Sequence, residues 1–329
     1  MMPLPEIKKN IFRIQSPDEF NVLALNIFHY QCENNPVYRQ FILQLGIKSE
    51  AVARVEAIPF LPVSFFKTHR IITGHFTPGL TFLSSGTTGM QPSRHAVAET
   101  SLYEASFLNC FERFYGKISR YCILALLPSY LSRQDSSLVY MVNRLISESK
   151  HPESGFYLDA TQILPDRLEK LKSAHQPTIL FGVSYALLDF AESHPVDFPD
   201  LIVMETGGMK GRRKEMIREE LHDRLSRGFG VPVVHSEYGM TELLSQAYSR
   251  GLGLYRTPPW MKVLMRDVND PLTWVGYQQT GGINVIDLAN IHSCSFLATQ
   301  DLGKAYPDGS FEVLGRFDES DIRGCNLLV

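Results

Sequence analysis

The chain has 329 residues, 44% of them apolar and 20% charged, and a formal net charge of −3. That is enough apolar chain for a sizeable core in one large or two modest domains. The near-neutral charge gives no electrostatic case for nucleic acid or an anionic membrane as a partner.

Taken in chain order, Ser16-Pro17-Asp18-Glu19 reads as a helix start, with Ser16 as N-cap, Pro17 at the first helical position and Glu19 closing a capping box. Phe20, Leu23, Leu25, Ile27 and Phe28 form one broad apolar face behind it. Pro36 interrupts that helix, and a second one is expected to run to about Leu45 and stop at Gly46. Ile58-Pro59-Phe60-Leu61-Pro62 reads as a packed loop, because two prolines in five residues break either regular element.

From residue 80 the pattern alternates. Strands are expected at 81–83, 121–127, 178–182, 201–205 and 232–235, with helices between them, among them 135–149, 184–193 and 212–227 and one beginning near Ala96. Such alternation predicts an α/β fold with a mainly parallel sheet covered by helices on both faces. After Gly251 the helical periodicity fades, and short strands at 281–287, 293–298 and 310–314 predict a smaller β subdomain. The expected organisation is a helical N-terminal segment over 1–79, an α/β core over 80–250, and a β subdomain with a short tail over 251–329.

Met1 to Asn10 are polar rather than a secretory segment, and no apolar run is long enough to cross a bilayer. The five cysteines (Cys32, Cys110, Cys122, Cys294 and Cys325) have no C-x-x-C spacing. The expectation is a cytoplasmic protein without structural zinc, in which Cys32, Cys110 and Cys122 are small core residues. His69, His75, His95 and His235 show no metal-like spacing and receive no ligand role.

Three segments carry the chemistry. Ser84-Ser85-Gly86-Thr87-Thr88-Gly89 follows an apolar strand, and its small side chains can bring N–H and hydroxyl donors to phosphate oxygens. It lacks the Gly-Lys-Ser/Thr of a P-loop, and its composition also suits an ordinary turn. Ser236-Glu237-Tyr238-Gly239-Met240-Thr241-Glu242 follows a second apolar run, and alone its Glu242 could be a first-turn glutamate favoured by a helix dipole. Thr299-Gln300-Asp301-Leu302-Gly303 is followed by Leu314-Gly315-Arg316-Phe317-Asp318, where Arg316 alone could be a surface ion pair. In open α/β sheets, ligands bind beyond the carboxyl ends of the strands, where the first two segments fall.

In order and spacing these segments resemble the adenylate-forming superfamily, which includes acyl- and aryl-CoA synthetases, over roughly residues 80 to 325. The resemblance implies ATP and Mg²⁺ as cofactors. Ser85, Gly86, Thr87, Thr88 and Gly89 would cradle the β- and γ-phosphates, Thr241 would bond the α-phosphate and Glu242 would bind the metal. Tyr238, beside Gly239, would lie against adenine, with Gly207-Gly208 as the turn the base approaches. Asp301 would accept the ribose hydroxyls, although Gln300 stands where the family has glycine. Arg316 would contact ribose or phosphate.

Two departures narrow the reading. The family's Pro-Lys after the phosphate loop is replaced by Met90-Gln91-Pro92-Ser93-Arg94-His95, so Arg94 would supply the charge. The chain read here ends at Val329, so the family's mobile lid and its lysine cannot be carried over, and Lys210 or Lys67 would take that lysine's place. A shorter group, the bacterial acyl-protein synthetases (LuxE-type), resembles nearly the whole chain, including residues 28–38, Ile58 to Thr68 and the ending Arg323-Gly324-Cys325-Asn326-Leu327. That resemblance implies activation of a carboxylic acid, a fatty acid above all, as acyl-adenylate, then acyl transfer to Cys325 or to an acyl-accepting or reductase partner protein. Cys325 could equally be an ordinary tail cysteine. Two other functions stay open: a ligase or acyltransferase using coenzyme A or an amine as acceptor, and a non-catalytic subunit that binds a nucleotide or acyl chain.

Overall fold

The computed structural model describes residues 2–85, 91–128, 133–207 and 216–316. Its helices are α1 (Leu4–Ile11), α2 (Pro17–Asn34), α3 (Pro36–Gln44), α4 (Phe65–Thr68), α5 (Thr100–Tyr115), α6 (Ser137–Ser149), α7 (Leu164–Ser173), α8 (Ser184–Ser193) and α9 (Arg218–Phe229). Its strands are β1 (Leu61–Pro62), β2 (Leu80–Leu83), β3 (Arg94–Val97), β4 (Cys122–Leu126), β5 (Gly155–Phe156), β6 (Thr178–Val183), β7 (Ile202–Thr206), β8 (His235–Tyr238), β9 (Ala247–Ser249), β10 (Leu254–Arg256), β11 (Met261–Arg266), β12 (Gly281–Asp287), β13 (Phe296–Ala305) and β14 (Phe311–Arg316).

One 12-stranded sheet runs in the order β11-β12-β13-β14-β10-β9-β8-β7-β6-β4-β5, with β1 added beside β13; β2 and β3 form a separate hairpin. The stretch β8-β7-β6-β4-β5 is parallel and the remaining path is antiparallel. Every residue of β4 and β6 is buried, as expected of parallel strands covered on both faces by helices. The predicted α/β architecture is present, and the C-terminal strands β11 to β14 form its β-rich part.

Local signals explain most boundaries. Ser16 Oγ accepts the Glu19 N–H at 3.2 Å, while the Glu19 carboxylate takes the Gln15 N–H at 2.7 Å. Asn35, a buried N-cap, starts α3 by accepting the Tyr38 N–H, and Gly46 ends the turn after it with φ of 69°.

Five expectations needed correction. The strand expected at 293–298 is Phe296–Ala305, because Phe296 is the first residue paired with β12 and the ladder with β14 carries the strand on to Ala305. The helix expected at 212–227 is, among the described residues, Arg218–Phe229. Residues 94–97 form a strand, and the helix begins only at Thr100; pairing of Arg94 to Val97 with Leu83 to Leu80 overrides the helical preference of Ala96. The strand expected at 232–235 is His235–Tyr238, because Pro232 has no N–H for a ladder and His235 is the first residue paired with β7. Leu61–Pro62 is not loop: it pairs in parallel with Leu297 and Ala298, where Pro62 needs no N–H because only one neighbour flanks it.

Candidate functional site

The site is assembled at the carboxyl ends of β7 and β8 and along β13, with the β2–β3 hairpin closing over it. Glycine is required at 207 by a φ of 65°, and the Gly207 carbonyl accepts the Ser184 hydroxyl at 2.5 Å. Gly239 is exposed, and a Cβ there would meet the Glu237 carboxylate, so a side chain at this turn would have to displace that group.

Asp301 on β13 is 8% exposed. It accepts the Tyr238 hydroxyl at 2.8 Å on Oδ2 and faces Arg316 Nε at 3.4 Å on Oδ1. The Asp301–Arg316 contact follows from the β13–β14 register, in which these two residues are opposite each other. Burial pushes the Asp301 carboxyl above the usual range, against the pull of Tyr238, Arg316 and Arg266. Tyr238 is itself buried, and its ring packs edge-on against Tyr255 and Phe311.

Glu242 is 5% exposed. Burial raises its carboxyl pKa; the Ser93 hydroxyl bond and the charge of Arg316 oppose the shift, and Asp301 adds to it. Glu242, Arg316 and Asp301 are therefore within electrostatic reach of one another, although Glu242 precedes the other two by 59 residues or more. Ser93 also fixes the root of the expected phosphate loop. Its N–H donates to Ser84 Oγ at 2.8 Å, and its carbonyl accepts the Ser84 N–H at 3.1 Å. The stem of the first motif thus touches the glutamate of the second, and that glutamate shares an arginine with the aspartate of the third.

Ser85 and Arg94 are exposed at the ends of that hairpin, and Thr241 is half-buried. Lys67, on α4, is half-buried as well. Gly86, Thr87, Thr88, Gly89, Gly208, Lys210 and Cys325 lie outside the described residues.

Among the described residues no group of three or more His, Cys, Asp or Glu could hold a metal by itself. Glu242 fits a different kind of metal site. Mg²⁺ is commonly held by one or two carboxylates with substrate phosphates completing its shell, and a buried carboxylate beside a phosphate-loop stem is that donor set.

Several residues of the site carry no motif in the sequence. Arg266, 6% exposed, donates to the Ile283 and Thr299 carbonyls and to Asn284 Oδ1, and burial pushes its guanidinium down to about 10. Its charge lies within reach of Asp301. His95 donates from Nδ1 to the Thr241 carbonyl at 2.7 Å, and its Nε2 is 3.0 Å from Asn290 Oδ1. Burial pushes the imidazole down to about 4, although Thr241 and Asn290 both favour its charged form, so the neutral ring donates to one of the two oxygens. Only the placement of His95 two residues after Ser93 on one strand could have drawn attention to it.

Among the described residues no helix is long and apolar enough to cross a membrane. The sequence matches no family model and no curated protein. The fold does have counterparts. An open conformation of 2-hydroxyisobutyryl-CoA ligase in complex with 2-HIB-AMP and CoA superposes with a TM-score of 0.65 at 14% identity, over 92% of this chain and 71% of that one. ATP-bound MatB from Rhodopseudomonas palustris gives a TM-score of 0.51 at 18% identity, over 72% of this chain and 47% of that one. The chain therefore has the fold of the adenylate-forming ligases, spanning about seven-tenths of the first of these enzymes and about half of the second.

Proposed function

We propose that the chain activates a carboxylic acid with ATP. An oxygen of the acid's carboxylate attacks the α-phosphorus, the bond from that phosphorus to the bridging oxygen breaks, and acyl-adenylate and pyrophosphate result. The carrying observation is that Glu242 lies against Ser93 in the stem of a small-residue loop while Arg316, paired with Asp301, is within electrostatic reach of it. Carboxylate and triphosphate repel, so such a site must neutralise charge and hold the attack in line.

In this reading Asp301 orients the ribose through its free lone pairs, Thr241 bonds the α-phosphate and Arg316 balances charge between sugar and phosphates. Gly86 to Gly89 with Ser85 cradle the outer phosphates, Arg94 adds charge at the hairpin, and Gly207-Gly208 lets the base approach the backbone. Tyr238 acts through Asp301, whose carboxylate it fixes. Glu242 would hold Mg²⁺, which supplies charge neutralisation on the phosphates. Lys210 would stabilise the transition state.

The finer reading is an acyl-protein synthetase of the LuxE-type, cytoplasmic, with a fatty acid as substrate. The Cys325 thiolate then attacks the acyl carbonyl and expels AMP, giving a thioester that a partner protein can receive. The competing acceptor is coenzyme A, favoured by the 2-hydroxyisobutyryl-CoA ligase likeness. Pyrophosphate release from ATP across fatty and aryl acids tests the first step, and a chain that releases none with any acid refutes it. Labelled acid then separates the acceptors: acyl-protein that disappears in Cys325→Ser supports the cysteine, whereas release only on adding coenzyme A refutes it.

A further inference from the structure

We propose that His95 and Asn290 are positioning residues of the nucleotide site, which hold the backbone of the Thr241–Glu242 turn so that its side chains meet phosphate and metal. The inference rests on the function proposed above and adds to it two residues that no motif marks.

Residues 239–246 connect β8 to β9 outside any strand. A segment outside the ladder must find other partners for its buried backbone groups. Two of those groups are the carbonyls of the residues that matter. The Thr241 carbonyl takes the His95 Nδ1–H at 2.7 Å, and the Glu242 carbonyl takes the Asn290 Nδ2–H at 2.7 Å. His95 Nε2 lies 3.0 Å from Asn290 Oδ1, but the neutral ring carries one proton and can donate to only one of the two oxygens it faces, and the Thr241 contact is the shorter. His95 is 1% exposed and Asn290 0%, so neither bond competes with bulk water.

The origin of each clamp ties the turn to a different part of the site. His95 sits on β3, two residues beyond Ser93, and residues two apart share a face of a strand. Ser93 reaches the Glu242 carboxylate while His95 reaches the carbonyl before it. One face of the hairpin that bears the phosphate loop therefore grips both ends of the turn. Asn290 lies in the short turn between β12 and β13. It connects the turn to the strand that bears Asp301.

The test is calorimetric titration of the full chain with ATP, in EDTA and in excess Mg²⁺, for wild type, His95→Ala, Asn290→Ala, His95→Asn and His95→Gln. A partner that orients a metal ligand contributes about 10- to 100-fold to metal affinity. In both alanine variants the Mg²⁺-dependent gain in ATP affinity is expected to fall by that factor, with a smaller loss of metal-free ATP affinity because Thr241 is released along with Glu242. His95→Asn places its amide nitrogen where Nδ1 was and is expected to keep the gain; His95→Gln, reaching the Nε2 position, is expected to lose it. Alanine variants that retain the full gain, or Asn and Gln variants that behave alike, overturn the proposal. If the alanine variants do not fold, the Asn and Gln pair decides. Wild type that binds no ATP removes the adenylation reading itself, whereas ATP-binding wild type with indifferent variants removes only the positioning role.

Discussion

Asp301→Asn separates function from stability in one variant. The carboxylate offers four lone-pair sites, of which Tyr238 and Arg316 occupy two, leaving two for ribose hydroxyls. Asparagine keeps the shape but loses the charge and one acceptor. A hydrogen bond to a charged group contributes about 1.5–3 kcal/mol and a neutral one about 0.5–1.5. Losing one charged bond and weakening the other costs about 2–4 kcal/mol of nucleotide binding, roughly 30- to 1000-fold in Kd. At ATP equal to 100 times the wild-type Kd, binding stabilises wild type by about 2.7 kcal/mol; a variant binding 100-fold more weakly gains only about 0.4. The unliganded protein should respond in the other direction. Burial raises the folded pKa of Asp301 above its unfolded value, so stability from this carboxyl is complete below the unfolded pKa and lost as pH rises through the folded one. At pH 7 the neutral amide escapes that loss, and apo Asp301→Asn is expected to melt at or above wild type. Thermal melts with and without ATP and Mg²⁺ read both effects. A variant with the wild-type ATP shift, or one that melts far below wild type without ATP, would refute the reasoning.

Glu237 should make stability depend on pH. Burial, aided by the charge of Glu205, raises its carboxyl to about 7 although the Thr206 hydroxyl donates to it at 2.5 Å. The folded state holds this proton more tightly, so its stabilisation is complete below the unfolded pKa of 4.5 and lost between there and about pH 7. Subtracting wild-type from Glu237→Gln unfolding free energies across pH 4 to 8 should show the variant gaining on the order of 3 kcal/mol over that interval; a flat difference refutes the assignment. Asp287→Ala should destabilise by several kcal/mol in urea unfolding. That carboxylate accepts the Leu244, Ser245 and Ala289 N–H groups, and each buried donor left unpaired costs about 1–3 kcal/mol. Gly230→Ala should lower stability without changing ATP affinity. The φ there is 65°, roughly 1–2 kcal/mol worse for a side chain than for glycine, and the new Cβ would meet Asp197 Cα at 2.9 Å. Wild-type stability in that variant would show that the helix end relaxes freely.

Much of this was legible along the chain, for definite reasons. The capping box at Ser16, the stop at Gly46 and the bounds of α8 are set by neighbours a few residues away, and local hydrogen bonds and periodicity express them. The motif stretches around Ser85, Glu242 and Asp301 were visible because unusual runs of small and acidic residues stand out among apolar strands.

What no local pattern contains is pairing between distant segments. Arg94 to Val97 became a strand because Leu80 to Leu83 lies beside it, and Leu61–Pro62 because β13 leaves an edge unpaired there. Arg266, Asn290 and His95 look like ordinary residues until two strands and a turn come together. The sequence by itself determined the alternating elements and the chemistry that their strand ends could carry, since both depend on short-range bonding. The tertiary structure alone decided which distant side chains share an arginine or clamp a carbonyl, because a buried polar group takes whatever partner the packing brings within 3 Å or so.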